Sequence, residues 1–348
     1  MLNNEVCDLH SKKSYIRHRT PDIHHSYFRI TMQNLNYPTL EDIRAAHKRI
    51  QPFIHNTPVL TSSAIDEIAG CRIFFKCENF QKVGAFKARG AANAVSKLSD
   101  DEKKSGVATH SSGNHAAALA RAAKIAGIPA YIVMPETAPE IKKAAVRGYG
   151  GEIIECKPTQ AAREETLEKV VKDTGANFIP PYDHMDVIEG QATCALELLE
   201  EIPNLNIIMT PVGGGGLLSG TALAAHYLNK NIQIIAGEPE GANDAYLSFM
   251  SKELKPMIGP DTIADGLLTS LGKINFQIIL EHVDEIITVS DAQIITAMRL
   301  IMERMKIIIE PSCAVPLAAL LAHKDRFAGK NVGIILSGGN VNLSKLPF

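Results

Sequence analysis

No stretch of this chain is apolar for long. A membrane-spanning helix needs ~20 such residues. The longest runs, such as Cys313 to Ala322, are far shorter and contain Pro316. Neither sign of charge is in excess: 36 Lys and Arg stand against 38 Asp and Glu, which leaves no basic face for nucleic acid. No two of the six cysteines show C-x-x-C spacing, and in a chain this long an even count does not imply disulfides. Cys7, Cys71, Cys77, Cys156, Cys194 and Cys313 are therefore expected to be reduced thiols behaving as small buried hydrophobes, in a cytoplasmic protein. The first 31 residues lack the apolar core of a signal peptide. They are polar, and their histidines follow no ligand-like period, so residues 1–31 are expected to be a disordered extension, with Met32 as an alternative start. There is no internal repeat, low-complexity tract or linker.

What remains is a chain of 348 residues, 45% apolar, enough for about two domains around a large core. Thr39-Leu40-Glu41-Asp42 opens the first helix as a near match to a capping box, with Ile43, Ala46 and Ile50 at helical spacing. Asn56-Thr57-Pro58 is expected to stop that helix and lead into strands at Val59-Leu60 and Arg72 to Cys77. From Gly106 onward, strands and helices alternate, with Gly127 placed to end the helix from Asn114 to Ala126. That grammar predicts an α/β protein with parallel sheets covered on both faces. The strands are apolar runs, such as Ile207-Ile208-Met209 and Val332 to Leu336, as buried parallel strands are. Residues 106–183 are expected to form a small mobile domain inserted in a larger one made of residues 32–105 and 184–348.

Several stretches carry groups for chemistry. Lys87 lies between Gly84 and the small residues Ala91-Ala92-Asn93-Ala94-Val95, a helix with room above it for something flat. Lysine amines form Schiff bases with carbonyl cofactors, pyridoxal phosphate above all; the plainer reading is a solvated lysine at a helix start. Gly213-Gly214-Gly215-Gly216 joins a buried strand to a helix. Successive N–H groups free of Cβ atoms, at the positive end of a helix dipole, make a phosphate cradle. No Gly-Lys-Ser/Thr follows, so it is not a Walker loop, and a simple turn is the alternative. Ser111-Ser112-Gly113-Asn114-His115 also joins a strand to a helix and suits a carboxylate, although capping by Ser112 or Asn114 explains the same residues. Ser337-Gly338-Gly339-Asn340 ends a strand, where open α/β sheets place ligands. Glu238 and Asp244, with a backbone carbonyl between them, make either an oxygen site for Mg²⁺ or Ca²⁺ or a solvated acidic turn.

Together, Ala85 to Ala91, Ser111 to His115, Gly213 to Gly216 and Ser337 to Asn340 appear in the order and spacing of fold-type II pyridoxal phosphate enzymes. The chain resembles most closely their serine racemase and serine/threonine dehydratase group, from Leu40 to Leu343. The resemblance implies two doubly wound parallel-sheet domains, tryptophan synthase β-like, with the cofactor in the cleft between them. It implies Lys87 as the cofactor-bearing lysine, Phe86 and Asn114 against the ring, Gly213 to Gly216 and Leu217 around the phosphate, and Ser337 at the pyridine nitrogen. Ser111, Ser112, Asn114, His115 and Arg163 would surround the substrate carboxylate. Glu238, the Ala242 carbonyl and Asp244 would hold Mg²⁺, Ca²⁺ or Mn²⁺. Cysteine synthases are set apart by an aspartate where Ala88 stands and a threonine where His115 stands. Three departures, Ala117 for a common glutamine, Ala192 in Gly-Gln-Ala-Thr, and Tyr182 where relatives carry Asn or Phe, bear on substrate preference. The implied activity is serine racemisation, or dehydration of L-serine and L-threonine to pyruvate or 2-oxobutanoate plus ammonia, or both. Lys87 would be the base on one face and Ser112 the acid on the other. Alternatives are a 3-hydroxyaspartate dehydratase, an aspartate racemase, and a non-catalytic metabolite sensor that binds pyridoxal phosphate. A homodimer acting on a small amino acid is expected, with no membrane or nucleic-acid partner.

Overall fold

The computed structural model describes residues 36–348, and the expected extension over residues 1–31, Met32 and Cys7 lie outside them. Pro38–Phe348 is one compact unit. Its first helix, Leu40–Ile50, begins as its sequence predicts: the Asp42 N–H donates to Thr39 Oγ1 at 3.2 Å and the Thr39 N–H to Asp42 Oδ2 at 2.9 Å. Ile43, Ala46 and Ile50 are buried. The helix stops at Ile50 rather than at Asn56, because Pro52 cannot donate an N–H to a helical carbonyl and a single 3₁₀ turn, Gln51–Phe53, takes over.

Among the described residues ten strands form two sheets. They are β1 (Val59–Leu60), β2 (Arg72–Cys77), β3 (Val107–His110), β4 (Ala130–Pro135), β5 (Glu152–Cys156), β6 (Asn177–Phe178), β7 (Ile207–Pro211), β8 (Gln233–Pro239), β9 (Glu285–Val289) and β10 (Asn331–Leu336). The larger sheet runs β1-β2-β10-β7-β8-β9, the smaller β5-β4-β3-β6. All pairings are parallel except β1 with β2, where Val59 faces Lys76. A connection shorter than a crossover helix leaves only antiparallel pairing open, and Leu60 to Arg72 holds just the short helix Ser63–Ala69.

Burial follows the two-residue period of a strand. Phe75, Met209, Ile235, Ile287 and Ile334 meet the helices Asp291–Met305 and Pro311–Ala322 on one face of the larger sheet. Phe74, Ile208, Ile234, Ile286 and Ile335 meet the helices Met185–Glu201, Gly216–Leu228 and Lys273–His282 on the other. Each such side chain contributes roughly 1.5–3 kcal/mol on burial. The five cysteines described are all free and buried. Among the described residues no helix is long and apolar enough to cross a membrane.

Register decides what meets at the carboxyl edge. Leu336 pairs with Cys77, and Pro211 with Gly237. The segments that follow β2, β10 and β7 therefore leave the larger sheet at one edge, carrying Lys87, Ser337 and the four glycines, and Glu238 stands at the same edge, next to last in β8. From the smaller sheet, β3 delivers Ser111 to Asn114 and β6 delivers Pro181 and Tyr182.

Candidate active site

Lys87 opens the helix Lys87–Ser96, and the preceding loop is stitched to the end of β10. The Phe86 N–H donates to the Ser337 carbonyl at 3.0 Å, Ala85 bridges Gly338, and the Gly339 N–H donates to the Gly84 carbonyl at 2.9 Å. The turn passes through two left-handed residues, Val83 (φ 57°) and Gly84 (φ 71°). For a β-branched residue that conformation is strained, and Asn340 Nδ2 holds it by donating to the Val83 carbonyl at 2.7 Å.

The Lys-x-Arg triplet is not solvated. Arg89 is fully buried, its guanidinium donating to both oxygens of Glu78 and both of Glu197, with Lys76 Nζ 2.7 Å from Glu197 Oε2. Two cations and two carboxylates balance, and the paired fork geometry fixes the helix's rotation about its axis. Lys87 is thereby turned inward. Its Nζ donates to the Pro181 carbonyl at 2.6 Å and stands 5.0 Å from the Phe86 ring centre and 5.9 Å from that of Tyr182. Burial disfavours the ammonium and pushes its pKa down to about 8, against the pull of Glu310.

Gly213 to Gly216 are buried between β7 and the helix Gly216–Leu228, with Leu217 buried in that helix's first turn. Any Cβ at Gly214 would fall 2.3 Å from the Tyr182 ring, and at Gly215 (φ +94°) 2.7 Å from Asn275 Cβ. Among the described residues nothing accepts from the four N–H groups of Gly213 to Gly216. Buried backbone donors without partners are rare. Four together at a helix N-terminus fit a phosphate such as that of pyridoxal phosphate.

Ser111 to His115 differ from the capping alternative. The helix Asn114–Ala126 starts from Gly113 with no side-chain cap. Ser111 Oγ accepts from the Gly113 N–H at 3.3 Å. Asn114 Nδ2 donates to Glu310 Oε1 and Oε2 at 3.0 and 3.1 Å, and its Oδ1 accepts from Asn340 Nδ2 at 2.9 Å. His115 Nε2 lies 3.0 Å from the Ile179 carbonyl, so the ring is protonated there and carries its lone pair on Nδ1, which is buried without a partner. Burial, then Lys87, pushes the pKa of His115 down to about 3. His115 thus lends shape but no positive charge to the site, and its Nδ1 can only accept. Arg163, on the helix Gln160–Thr174, is half-buried, and its Nε has no partner.

Sequence reasoning missed Glu310. It is buried beside Gly338, and a Cβ there would meet Glu310 Oε1 at 2.6 Å. Burial raises its pKa to about 7 against the Asn114 hydrogen bonds. The one local signal was Glu-Pro-Ser before an apolar run, which reads as a helix start. Asp183 and Asn275 were missed as well.

Glu238 and Asp244 are both buried, not a solvated turn. Glu238 accepts from the N–H groups of Ala245 (2.9 Å) and Tyr246 (2.7 Å), and Asp244 Oδ2 from that of Leu271 (2.8 Å). Asp244 Oδ1 is buried with no partner. Burial raises both pKa values, that of Asp244 to about 6. A cation would relieve the orphaned oxygen and the paired charge, so the residues fit one, with the buried Ala242 beside them. Among the described residues no group of three or more His, Cys, Asp and Glu stands ready for a metal.

The chain matches the family model described as pyridoxal-phosphate dependent enzyme over residues 50–338. It is 51% identical over 311 residues to a beta-hydroxyaspartate dehydratase of Paracoccus denitrificans, covering 89% of this chain and 99% of that one. It is 50% identical over 319 residues to a serine racemase of Dictyostelium discoideum, covering 90% and 98%. The crystal structure of the Dictyostelium serine racemase superposes with a TM-score of 0.85 over 88% of this chain and 99% of that one. With a family model matched over most of its length and relatives near half identical, the chain belongs to the pyridoxal-phosphate dependent enzyme family.

Proposed function

We propose that the protein is an amino-acid racemase and ammonia-lyase acting on L-serine, with L-threonine and 3-hydroxyaspartate as competing substrates. The observation that carries this reading is the inward Lys87 amine, donating to the Pro181 carbonyl, next in the chain to the Tyr182 ring that a Cβ at Gly214 would strike, together with four unpartnered glycine N–H groups. Gly213 to Gly216 and Leu217 would hold the phosphate, Phe86 and Asn114 the ring, and Ser337 the ring nitrogen. Bound pyridoxal phosphate draws electron density from the substrate's α-carbon and so acidifies its α-proton. Lys87, once free, takes that proton at Nζ, and the Pro181 carbonyl accepts a hydrogen bond from the resulting ammonium. The N–H groups at the start of the helix Asn114–Ala126, the hydroxyls of Ser111 and Ser112 and the guanidinium of Arg163 bind the carboxylate, while His115 fills the wall behind. After proton loss the β-hydroxyl departs as water, taking a proton back from the Lys87 ammonium, and a second water hydrolyses the resulting enamine, through its imine, to a keto acid and ammonia. A proton from Ser112 on the other face yields the D-amino acid instead.

Arg163 also admits the dicarboxylic substrate, because a guanidinium has five N–H donors and its unpartnered Nε can take a second carboxylate beside the first. The similarity to the beta-hydroxyaspartate dehydratase points the same way. Keto-acid release from L-serine, L-threonine and 3-hydroxyaspartate, beside chiral chromatography of L-serine and L-aspartate, tests the assignment. No turnover of any of them by holoenzyme would leave the sensor reading.

The reading also includes a divalent cation at Glu238, Asp244 and the Ala242 carbonyl. Oxygen donors select Mg²⁺, Ca²⁺ or Mn²⁺ over zinc. Without it, the raised pKa values mean that the folded state holds protons the unfolded chain releases, and the cation competes with them. Adding Mg²⁺ or Ca²⁺ at hundredfold excess over its Kd should stabilise the protein by roughly 2.7 kcal/mol. The effect should be full at pH 8, fade as pH falls through about 6, and vanish in Asp244→Asn. An EDTA-treated enzyme with unchanged melting temperature and activity refutes the site.

Residues 106–183 are proposed to close on the rest when substrate binds, bringing Ser111 and Ser112 to Lys87 and excluding water. A cavity of about 750 Å³ lies between them, lined by Gly113 and Ala117 on one side and Gly84 and Ile263 on the other, and bridged at its rim by Lys142 and Asp265 at 2.8 Å. Crystals with and without a substrate analogue should differ in the orientation of this segment; superimposable orientations contradict closure.

A further inference from the structure

The segment Pro181-Tyr182-Asp183 is tied to the glycine loop by two residues that none of the sequence motifs contains. Asp183 lies on the N-terminus of the helix Lys273–His282, ninety positions away. Its carboxylate accepts from the backbone N–H groups of Lys273 (3.0 Å), Ile274 (2.9 Å) and Asn275 (3.3 Å). The helix has no cap of its own, because its N-cap residue is Gly272. A Cβ there would fall 2.4 Å from Asp183 Oδ1, so the glycine is what admits the carboxylate. Asp183 therefore occupies the positive end of this helix and leaves phosphate binding to the helix Gly216–Leu228.

Asn275, fully buried, continues the link. Its Nδ2 donates to the Gly214 carbonyl at 2.9 Å and to the Tyr182 carbonyl at 3.2 Å, and lies 3.4 Å from Asp183 Oδ1. The Gly272 N–H donates to the same Gly214 carbonyl at 3.1 Å. Two donors thus fix one peptide plane of the loop. In a planar trans peptide the carbonyl of one residue and the N–H of the next point in opposite directions. With Gly214 C=O held toward the helix Lys273–His282, the Gly215 N–H is aimed away from it, to the side where nothing in the described structure accepts from it. The other end of the link is the Pro181 carbonyl, two residues from Asp183, which receives Lys87 Nζ.

We propose that Asp183 and Asn275 are positioning residues that hold the phosphate-binding amides and the partner carbonyl of Lys87 as one unit. The inference rests on the pyridoxal phosphate reading of the glycine loop and names what orients it. Neither side chain touches the reacting atoms; both act through backbone that does.

The test uses the full-length protein stripped of cofactor and titrated with pyridoxal phosphate and, separately, with pyridoxal, which lacks only the phosphate. The lysine contribution is common to both, so the ratio of the two dissociation constants isolates the phosphate contribution. Asp183→Ala and Asn275→Ala should each lower that ratio at least tenfold, and should abolish the rise in melting temperature that inorganic phosphate gives the wild-type apo-protein. Asp183→Asn, which keeps one acceptor oxygen for the helix, should restore most of the ratio. Variants that melt earlier but keep the wild-type ratio would show a purely structural clamp and overturn the proposal. If Asp183→Ala does not fold, Asn275→Ala, which leaves the Asp183 cap in place, decides alone. A wild type that binds both compounds equally would instead overturn the reading of the glycine loop, whatever the variants do.

Discussion

Replacing Lys87 by alanine should lower turnover of every substrate by at least ~10³-fold, because a proton-transferring group is typically worth 10²–10⁴ in rate and this amine also anchors the cofactor. The visible absorption of the purified protein should be lost with it. The wild type offers a second signature. Only a neutral amine attacks a carbonyl, and burial lowers the pKa of Lys87 to about 8. The rate at which apo-protein captures pyridoxal phosphate should therefore climb with pH and level off near 8, whereas an ordinary lysine levels off near ~10.4. A plateau above pH 10, or an alanine variant that keeps its colour, would remove Lys87 from the role.

Ser112→Ala should divide the two activities. Inversion of L-serine to D-serine needs a proton on the face away from Lys87 and should fall ~10²–10⁴-fold. Elimination from L-serine needs no such proton and should stay within a few-fold of wild type. Elimination from D-serine should drop with inversion, since its α-proton faces Ser112. A capping serine would lose about 1 kcal/mol of stability with all activities reduced alike, but the helix Asn114–Ala126 starts from Gly113 without a side-chain cap. Ser112→Ala should thus melt close to wild type. Chiral chromatography and a keto-acid assay on one preparation decide the matter, and equal losses in inversion and L-serine elimination would end the two-face mechanism.

Much of the architecture was legible in the chain because it is written locally. The Thr39 capping box, the glycine that ends the helix at Ala126 and the apolar runs of β7 and β10 each act within a few residues. The four motifs were legible for the same reason: a glycine run between strand and helix exposes N–H groups wherever it folds. The departures came where a local signal had two meanings. Asn56-Thr57-Pro58 looked like the stop, yet Pro52 came first. Ser112 and Asn114 looked like caps, but Asn114 turns to Glu310.

By itself, then, the sequence determined the elements, their parallel order and the segments that reach the carboxyl edge. Tertiary structure alone decided what Lys87 faces, that Arg89 is buried between Glu78 and Glu197, that Glu310 lies under Asn114, and that Asp183 caps a helix formed ninety residues later. Those contacts span 94, 108, 196 and 90 positions. A contact between a charged side chain and a partner so far along the chain leaves no periodic trace, because the charged residue alone has the composition of an exposed one. Only when register and helix packing close the distance does desolvation lower the pKa of Lys87 and raise that of Glu310, and with that give them their chemistry.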